Sequence, residues 1–485
     1  MSAGFHFVAN LKPYTLHRGR GNDRFGAYLL SVDYARDFAD LARDVRGGDG
    51  VLCADNGNVD LLRASLRTHE VAAKLLDDAR RVEERGLGRH ARPGELSVSL
   101  RRRFQALADD VRQAAEAALE PERVANVVAA QEAMRASYVI GMEDFTVSTL
   151  TGLGAEPEYL DLPQTFYAAR ASRAVQLARE THRGTFGPCR AQVFAGLHAA
   201  DYDTARLAGQ VAGEADLQGI AIGLAGALQD STYVDFRVED GLVVELGSGV
   251  PRPYLRVAEI VAGLHEGFVT ACGRRPRFHA LGVGTPILLP LLAALGDGTT
   301  YTATDSTAPI MDGWSAPTIS LYVDNPAPLK YKAYRVAEAW LSDDRAWDCP
   351  CPYCRGFDRA YPPRIEEARR WWRNSGRPRL TSVSVGRASP LSTCLPLLAN
   401  ADDPGLRLTA AMARVGHNHW VLQRIERAAR QHSQTPTGLL RWVDGVVASY
   451  LAAPAAPAWK AAVSVAWPII RRAAERTRDA RPTPL

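Results

Sequence analysis

The run Cys349-Pro350-Cys351-Pro352-Tyr353-Cys354 places three thiols within reach of one ion. Cys-x-Cys-x-x-Cys spacing presents three soft thiolates together, and a single imidazole completes a tetrahedral Cys₃His zinc site. Three of the chain's seven cysteines fall in this run. Outside a secreted protein, such clustering favours metal over disulfide. In Gly416-His417-Asn418-His419 both histidines qualify as the fourth ligand, and we take His417, with His419 the alternative. Four protein ligands leave no position for substrate, so the expected zinc is structural, one ion per chain. The same histidine run lacks the ββα-metal context of an HNH nuclease.

A second set of reactive groups lies where short apolar runs end. It comprises Asp55 in Ala-Asp-Asn-Gly, the pair Glu143-Asp144, His198, and Asp305 in Thr-Asp-Ser-Thr. Taken singly, each acid is as readily a helix cap or turn residue, Asp305 before Ser306-Thr307 above all. Acids that close three separate runs say more together. Converging carboxylates suit attack at an anomeric carbon: one acts as nucleophile, another moves protons, and both stabilise the oxocarbenium-like charge. Leu281-Gly-Val-Gly-Thr-Pro286 is neither a Walker motif nor a dinucleotide fingerprint. It reads either as a tight glycine turn or, in a barrel, as backbone amides that hold a phosphate.

The elements that must position these groups are near-continuous apolar runs, each followed by an amphipathic stretch. They are Phe5–Leu11, Val51–Asn56, Tyr138–Phe145, Ala191–His198, Gly219–Gly226, Phe278–Gly284 and Tyr301–Thr307. Strands alternating with helices predict a parallel sheet covered on both faces, and seven of them fit a (β/α)₈ barrel better than an open sheet. Thr318–Val323 and Leu380–Val385 are the candidates for the eighth strand. Tyr233–Leu246 alternates about Asp240-Gly241 as a hairpin does. The expected organisation is a barrel over 1–345 with a helical insertion at about 61–136, a zinc-binding subdomain with a basic insertion over 346–440, and a helical basic tail over 441–485.

At 485 residues, with 46% apolar and 23% charged residues, the composition is that of a globular protein. A net charge of +4 creates no whole-molecule field for nucleic acid, so local runs must supply the grip. Arg80-Arg81 and Arg101–Arg103 read as solvated faces. The Arg364–Arg379 run interleaves cations with Trp371 and Trp372, which makes Arg369, Arg370, Trp371 and Trp372 the candidates to hold a nucleic-acid backbone and stack on bases. The N-terminal residues lack a signal-peptide pattern, and the most apolar stretch, Ala452–Ile470, is broken by three prolines and a lysine. A cytoplasmic protein without membrane contact is expected.

Together these residues resemble the tRNA-guanine transglycosylase superfamily. The cysteine run with the later His417-Asn418 is similar to that family's zinc motif. Gly282-Val-Gly-Thr-Pro286 followed by Asp305 is similar to the segment leading to its catalytic aspartate. Ala54–Gly57 stands where the family has Asp-Ser-Gly-Gly, Glu143–Thr146 where it has Asp-Glu-Cys-Thr, and Gly219–Gly223 resembles a base-contacting strand. The resemblance implies a (β/α)₈ barrel with a zinc subdomain. It implies exchange of guanine in a nucleic acid for a 7-deazaguanine, with Asp305 as nucleophile and Asp55 as general acid/base. Asn56, Glu143, Asp144, His198, Gly223 and Leu224 would then form the substrate pocket.

The departures carry information too. The family's Val-Gln-Gly-Gly is Ala195-Gly196-Leu197-His198 here, without the base-reading glutamine, and a basic insertion separates Cys354 from His417. They point to the DNA-modifying 7-deazaguanine transglycosylases, the DpdA-like branch. The expected partners are DNA, a free 7-deazaguanine base such as 7-cyano-7-deazaguanine, and companion proteins of a DNA modification system. The alternatives are a tRNA transglycosylase of archaeosine or queuine type, and a non-catalytic, zinc-stabilised nucleic-acid-binding homologue.

Overall fold

A computed structural model of the chain describes residues 3–12, 25–48, 50–185, 190–229, 232–296, 298–314, 319–342, 349–387 and 389–482. Eight strands close into a barrel: β1 Gly4–Asn10, β2 Ala27–Ser31, β3 Val51–Asp55, β4 Tyr138–Ile140, β5 Gln192–Leu197, β6 Gly219–Gly223, β7 Arg277–Leu281 and β8 Tyr301–Asp305. Each strand pairs in parallel with its sequence neighbours, and β8 closes on β1 with Val8 opposite Asp305. The fold is the expected (β/α)₈ barrel.

The eighth strand lies elsewhere than expected. It is Ala27–Ser31, second in the chain, and it pairs with β1 and β3. Neither candidate joins the barrel. Ser320–Val323 forms a two-stranded antiparallel ribbon with Leu329–Lys332, Thr318 lies outside the described residues, and Val383–Val385 is a single 3₁₀ turn. Five residues with only three large apolar side chains make a weak local signal; barrel closure supplies the missing partners.

Side chains alternate across each strand, so parity sorts them into two cores. Val8, Leu29, Cys53, Tyr138, Phe194 and Ala303 fill the barrel interior. Phe7, Leu30, Leu52, Val139, Leu197 and Ile222 face outward against the helices. Asp55 and Asp305 each follow an interior residue by two positions, which carries both to the interior at the C-terminal mouth.

The stretch from Val59 to Ala133 holds three helices, Val59–Leu87, Val98–Ala118 and Pro121–Ala133. Arg80 is buried there against Asp77 and Glu84, a correction to its reading as solvated. The hairpin is present as Tyr233–Glu239 and Leu242–Pro251. On the outer layer, helix Tyr202–Glu214 meets helix Arg252–Cys272 backbone to backbone. A Cβ on Gly267 would lie 1.9 Å from the Arg206 carbonyl oxygen, and one on Gly209 2.2 Å from that of Leu264. Among the described residues, no helix is long and apolar enough to cross a membrane.

Past the barrel, helix Pro404–His432 starts on a proline, with the Asp403 carboxylate accepting from the Leu406 amide at 2.6 Å. Near its other end the Arg430 guanidinium donates to the Phe5 carbonyl at 2.9 Å, which docks the helix on the start of β1. Helix Pro457–Arg476 packs on Arg252–Cys272, and Arg481–Pro482 pairs in parallel with Arg274–Arg275.

Candidate functional site

At the C-terminal mouth, the loop after β4 carries Glu143 across the opening. The Asn56 amide donates to Glu143 Oε1 at 2.9 Å and to the Gly141 carbonyl at 2.7 Å, and His198 Nε2 lies 2.5 Å from Glu143 Oε2. Two glycines on β5 and β6 make room for this pair. A Cβ on Gly196 would come within 2.8 Å of Glu143 Cγ, and one on Gly223 within 2.7 Å of His198 Cε1. Burial works to raise the Glu143 pKa, but His198 and the Asn56 amide outweigh it, so the shift is downward and the carboxylate is charged. Gly223 therefore presents bare backbone beneath an imidazole. Leu224 is fully buried behind it, its amide donating to the Leu281 carbonyl at 3.0 Å.

Asp55, half-buried beside this pair, stands in the opposite electrostatic state. Burial first, and then the charges of Glu143 and Asp305, raise its pKa from 3.8 to about 7. Two carboxylates in one mouth thus differ in protonation: Glu143 is held as an anion, and Asp55 is poised to gain or lose a proton near neutrality.

Asp305 is neither a cap nor a turn acid. Before the following helix, Ala308–Trp314, it is Ser306 whose Oγ accepts from the first helical amide, that of Ala308, at 3.0 Å. Asp305 turns inward instead, and its Oδ1 accepts from the Gly282 amide at 3.3 Å and meets His279 Nε2 at 3.2 Å. Gly282 has φ +85°, which aims its N–H at the carboxylate. The Thr304 hydroxyl donates to the Val283 carbonyl at 2.7 Å, and Gly284 is packed against Ser306. The glycine turn after β7 serves the end of β8, as the tight-turn reading of that motif expects.

The cysteine run and His417 gather as expected. Cys349, Cys351, Cys354 and His417 place one ligand atom each within 4.8 Å of one another, a cluster that can hold a metal ion. His417 Nδ1 lies 3.3, 3.5 and 3.6 Å from the three sulfurs in chain order. Its Nε2 faces the Tyr322 carbonyl at 2.8 Å, which assigns the proton to Nε2 and leaves Nδ1 for an ion. Locally, Cys351 begins helix Pro352–Ala360 and accepts from the Cys354 amide at 3.2 Å, so one helical turn sets two sulfurs on one side. His419 points away into an aromatic pocket of Phe7 and Phe25, and burial lowers its pKa to about 4.

Other expected residues have different duties. Asp144 accepts from the Thr146 hydroxyl at 2.5 Å and amide at 3.1 Å, and pairs with Arg170 at 3.0 Å, so of the two neighbouring acids only Glu143 faces the mouth. Arg369 donates from Nε and Nη2 to the Trp340 carbonyl at 3.3 and 3.1 Å. Trp371 and Trp372 are half-buried against a small core containing Trp340 and Leu380, and the Trp372 indole donates to the Pro378 carbonyl at 2.9 Å. Arg370, beside them on helix Ile365–Asn374, is exposed.

Sequence reasoning missed His279 and Tyr138. Both sit at interior positions of their strands, and the Tyr138 hydroxyl lies 3.1 Å from His279 Nδ1 and 2.9 Å from the Tyr301 hydroxyl. The available signal was parity: His279 precedes Leu281 by two on β7, a polar residue on the interior side of an otherwise apolar run. Comparison of the chain with protein-family models and with curated proteins returns no match.

Proposed function

We propose that the chain is a transglycosylase that exchanges guanine in DNA for a free 7-deazaguanine, with Asp305 as the covalent nucleophile and Asp55 as the proton carrier. The observation that supports it most is the pairing of two acids in one mouth. Asp305 is turned inward with both of its hydrogen bonds on Oδ1, and Asp55 has a pKa of about 7. In this reading Asp305 Oδ2 attacks C1′, an Oδ2–C1′ bond forms as the C1′–N9 bond breaks, and Asp55 gives its proton to the leaving guanine. The incoming base then attacks C1′ through N9, the ester C–O bond breaks, and Asp55 takes the N9 proton. One proton moves out and back, and a group with a pKa near the working pH suits both directions.

Glu143 would accept from the N–H edge of the base, as carboxylates do with amino donors, while Asn56 and His198 hold it in place. Because C1′ is enclosed in a duplex, the reactive nucleotide must be extruded or single-stranded. In the same reading the metal is zinc. A tetrahedron with Zn–S of about 2.3 Å and Zn–N of about 2.1 Å has S–N edges of about 3.6 Å, and the three separations of 3.3, 3.5 and 3.6 Å match it. With all four positions filled by protein, its part would be structural.

The test is nucleoside mass analysis of duplex DNA, single-stranded DNA and bulk tRNA after incubation with the protein and 7-cyano-7-deazaguanine. Incorporation into DNA is the expected result. Incorporation into tRNA alone would move the substrate class, and incorporation into none would leave a nucleic-acid-binding role.

A further inference from the structure

We infer that His279 is a positioning residue for Asp305, held by the Tyr138 and Tyr301 hydroxyls so that Oδ1 is fixed and Oδ2 is the attacking oxygen. The inference rests on the reading of Asp305 as nucleophile. Four side chains from three strands form one line: Tyr301 and Tyr138 hydroxyls 2.9 Å apart, Tyr138 hydroxyl to His279 Nδ1 3.1 Å, and His279 Nε2 to Asp305 Oδ1 3.2 Å. Tyr138 and Tyr301 are almost wholly shielded from water, as is His279.

The proton positions follow from the ends of this line. A carboxylate only accepts, so His279 Nε2 donates to it. With a neutral imidazole, Nδ1 then accepts from Tyr138, and Tyr138 accepts from Tyr301. Each hydroxyl has one proton to give, so the line runs in one direction and ends on Oδ1. The Gly282 amide donates to the same oxygen. Among the described residues no bond falls on Oδ2.

That asymmetry has a chemical consequence. When Oδ2 forms the ester to C1′, Oδ1 becomes its carbonyl oxygen and keeps both donors without moving. Hydrogen bonds to a charged oxygen are stronger than those to a neutral one, so the two donors favour return to the carboxylate. They therefore assist the second step, in which the ester C–O bond breaks and the electron pair returns to Asp305. A carboxylate free to rotate would offer either oxygen in many orientations, whereas one held by two donors presents a single oxygen at a set angle.

Three variants and one spectrum test this. His279→Leu keeps an apolar side chain of similar bulk and should lower covalent adduct formation by roughly 100-fold. His279→Gln sets an amide N–H near the place of Nε2–H and should recover most of the rate. Tyr138→Phe keeps the ring packed on Phe194, with centroids 4.6 Å apart, removes only the hydroxyl, and should slow the adduct step roughly 10-fold. The half-saturating concentration of free base should not change in any of them. Long-range ¹⁵N–¹H spectra of histidine-labelled protein should show, besides His417, an imidazole locked with its proton on Nε2, with signals that move in Asp305→Asn and in Tyr138→Phe. Gln and Leu at 279 giving equal rates, or Tyr138→Phe forming adduct at the parent rate, would reduce the line to packing and overturn the inference. Imidazole signals indifferent to Asp305→Asn would overturn it even if exchange is robust. Coupled signals in a protein that exchanges no base would instead support the pairing and refute the proposed function.

Discussion

The Asn418 side-chain amide donates to the Pro309 carbonyl at 3.2 Å, joining the residue next to His417 to the first turn of the helix that follows Asp305. The same amide reaches the Ser320 carbonyl at 3.1 Å, and its oxygen accepts from the Tyr322 amide at 3.0 Å. Tyr322 in turn offers its carbonyl to His417. The Cys₃His cluster, the ribbon and the helix after β8 are thus one hydrogen-bonded unit, and a metal held there would act on the mouth through position.

Cys351→Ser should therefore lose the metal and also exchange activity, together with stability, because structural zinc contributes folding free energy directly, about 10–16 kcal/mol in small zinc peptides. Metal analysis by mass spectrometry alongside thermal unfolding checks this. His419→Ala should retain a full equivalent of metal while losing some packing; an empty site in that variant alone would reassign the fourth ligand.

Asp305 and Ser306 should separate cleanly. Asp305→Asn should fold, bind metal and bind DNA, yet trap no covalent adduct. Ser306→Ala should lose one hydrogen bond to the first helical amide, worth about 1 kcal/mol, and still form adduct. Exchange at the parent rate by the Asp305 variant would remove the nucleophile from the mechanism.

Asp55 makes a pH prediction with a definite sign. Its pKa rises from 3.8 unfolded to about 7 folded, so the folded state holds the proton more tightly. Stability contributed by that proton is complete below about pH 4 and is lost as pH climbs through 7. Asp55→Asn should lack this decline, so denaturation at pH 5 and pH 8 should differ less than in the parent. The parent's exchange rate should titrate near pH 7. In the variant that titration should vanish and turnover fall by about 10²–10⁴ if acid/base catalysis is what is lost.

The basic run divides into two roles. Arg370→Ala should lower the slope of log affinity against log salt by about 1 if it meets one phosphate. Arg369→Ala should instead lower the melting temperature, since it removes two bonds to the Trp340 carbonyl. An unchanged salt slope in the Arg370 variant would return this helix face to plain solvent exposure.

Gly267→Ala tests the outer layer. The added methyl would sit 1.9 Å from a backbone oxygen that cannot move alone, so a cost of about 1–3 kcal/mol or more is expected from forced separation of the helices. Gly273→Ala, where a Cβ meets nothing within 4 Å but φ is +67°, should show the smaller cost of backbone strain alone.

What the residues determined on their own is whatever depends on near neighbours. Alternation made Tyr301–Asp305 and Arg277–Leu281 strands, the spacing of Cys349, Cys351 and Cys354 gathered three sulfurs at the start of one helix, and acids at strand ends marked the mouth. Closure of the barrel decided the rest, because it brings together residues that no local pattern relates. It recruited Ala27–Ser31 as a strand by giving it two partners, and it set His279 against Asp305 across adjacent strands. Which of two neighbouring acids faces the mouth was also settled in three dimensions: Arg170 lies near enough to hold Asp144, and the bare backbone of Gly196 leaves space for Glu143. His417 joined the three cysteines in the same way. It lies 63 positions beyond Cys354, and only the docking of helix Pro404–His432 on the barrel turns its Nδ1 to the sulfurs while His419 enters the core.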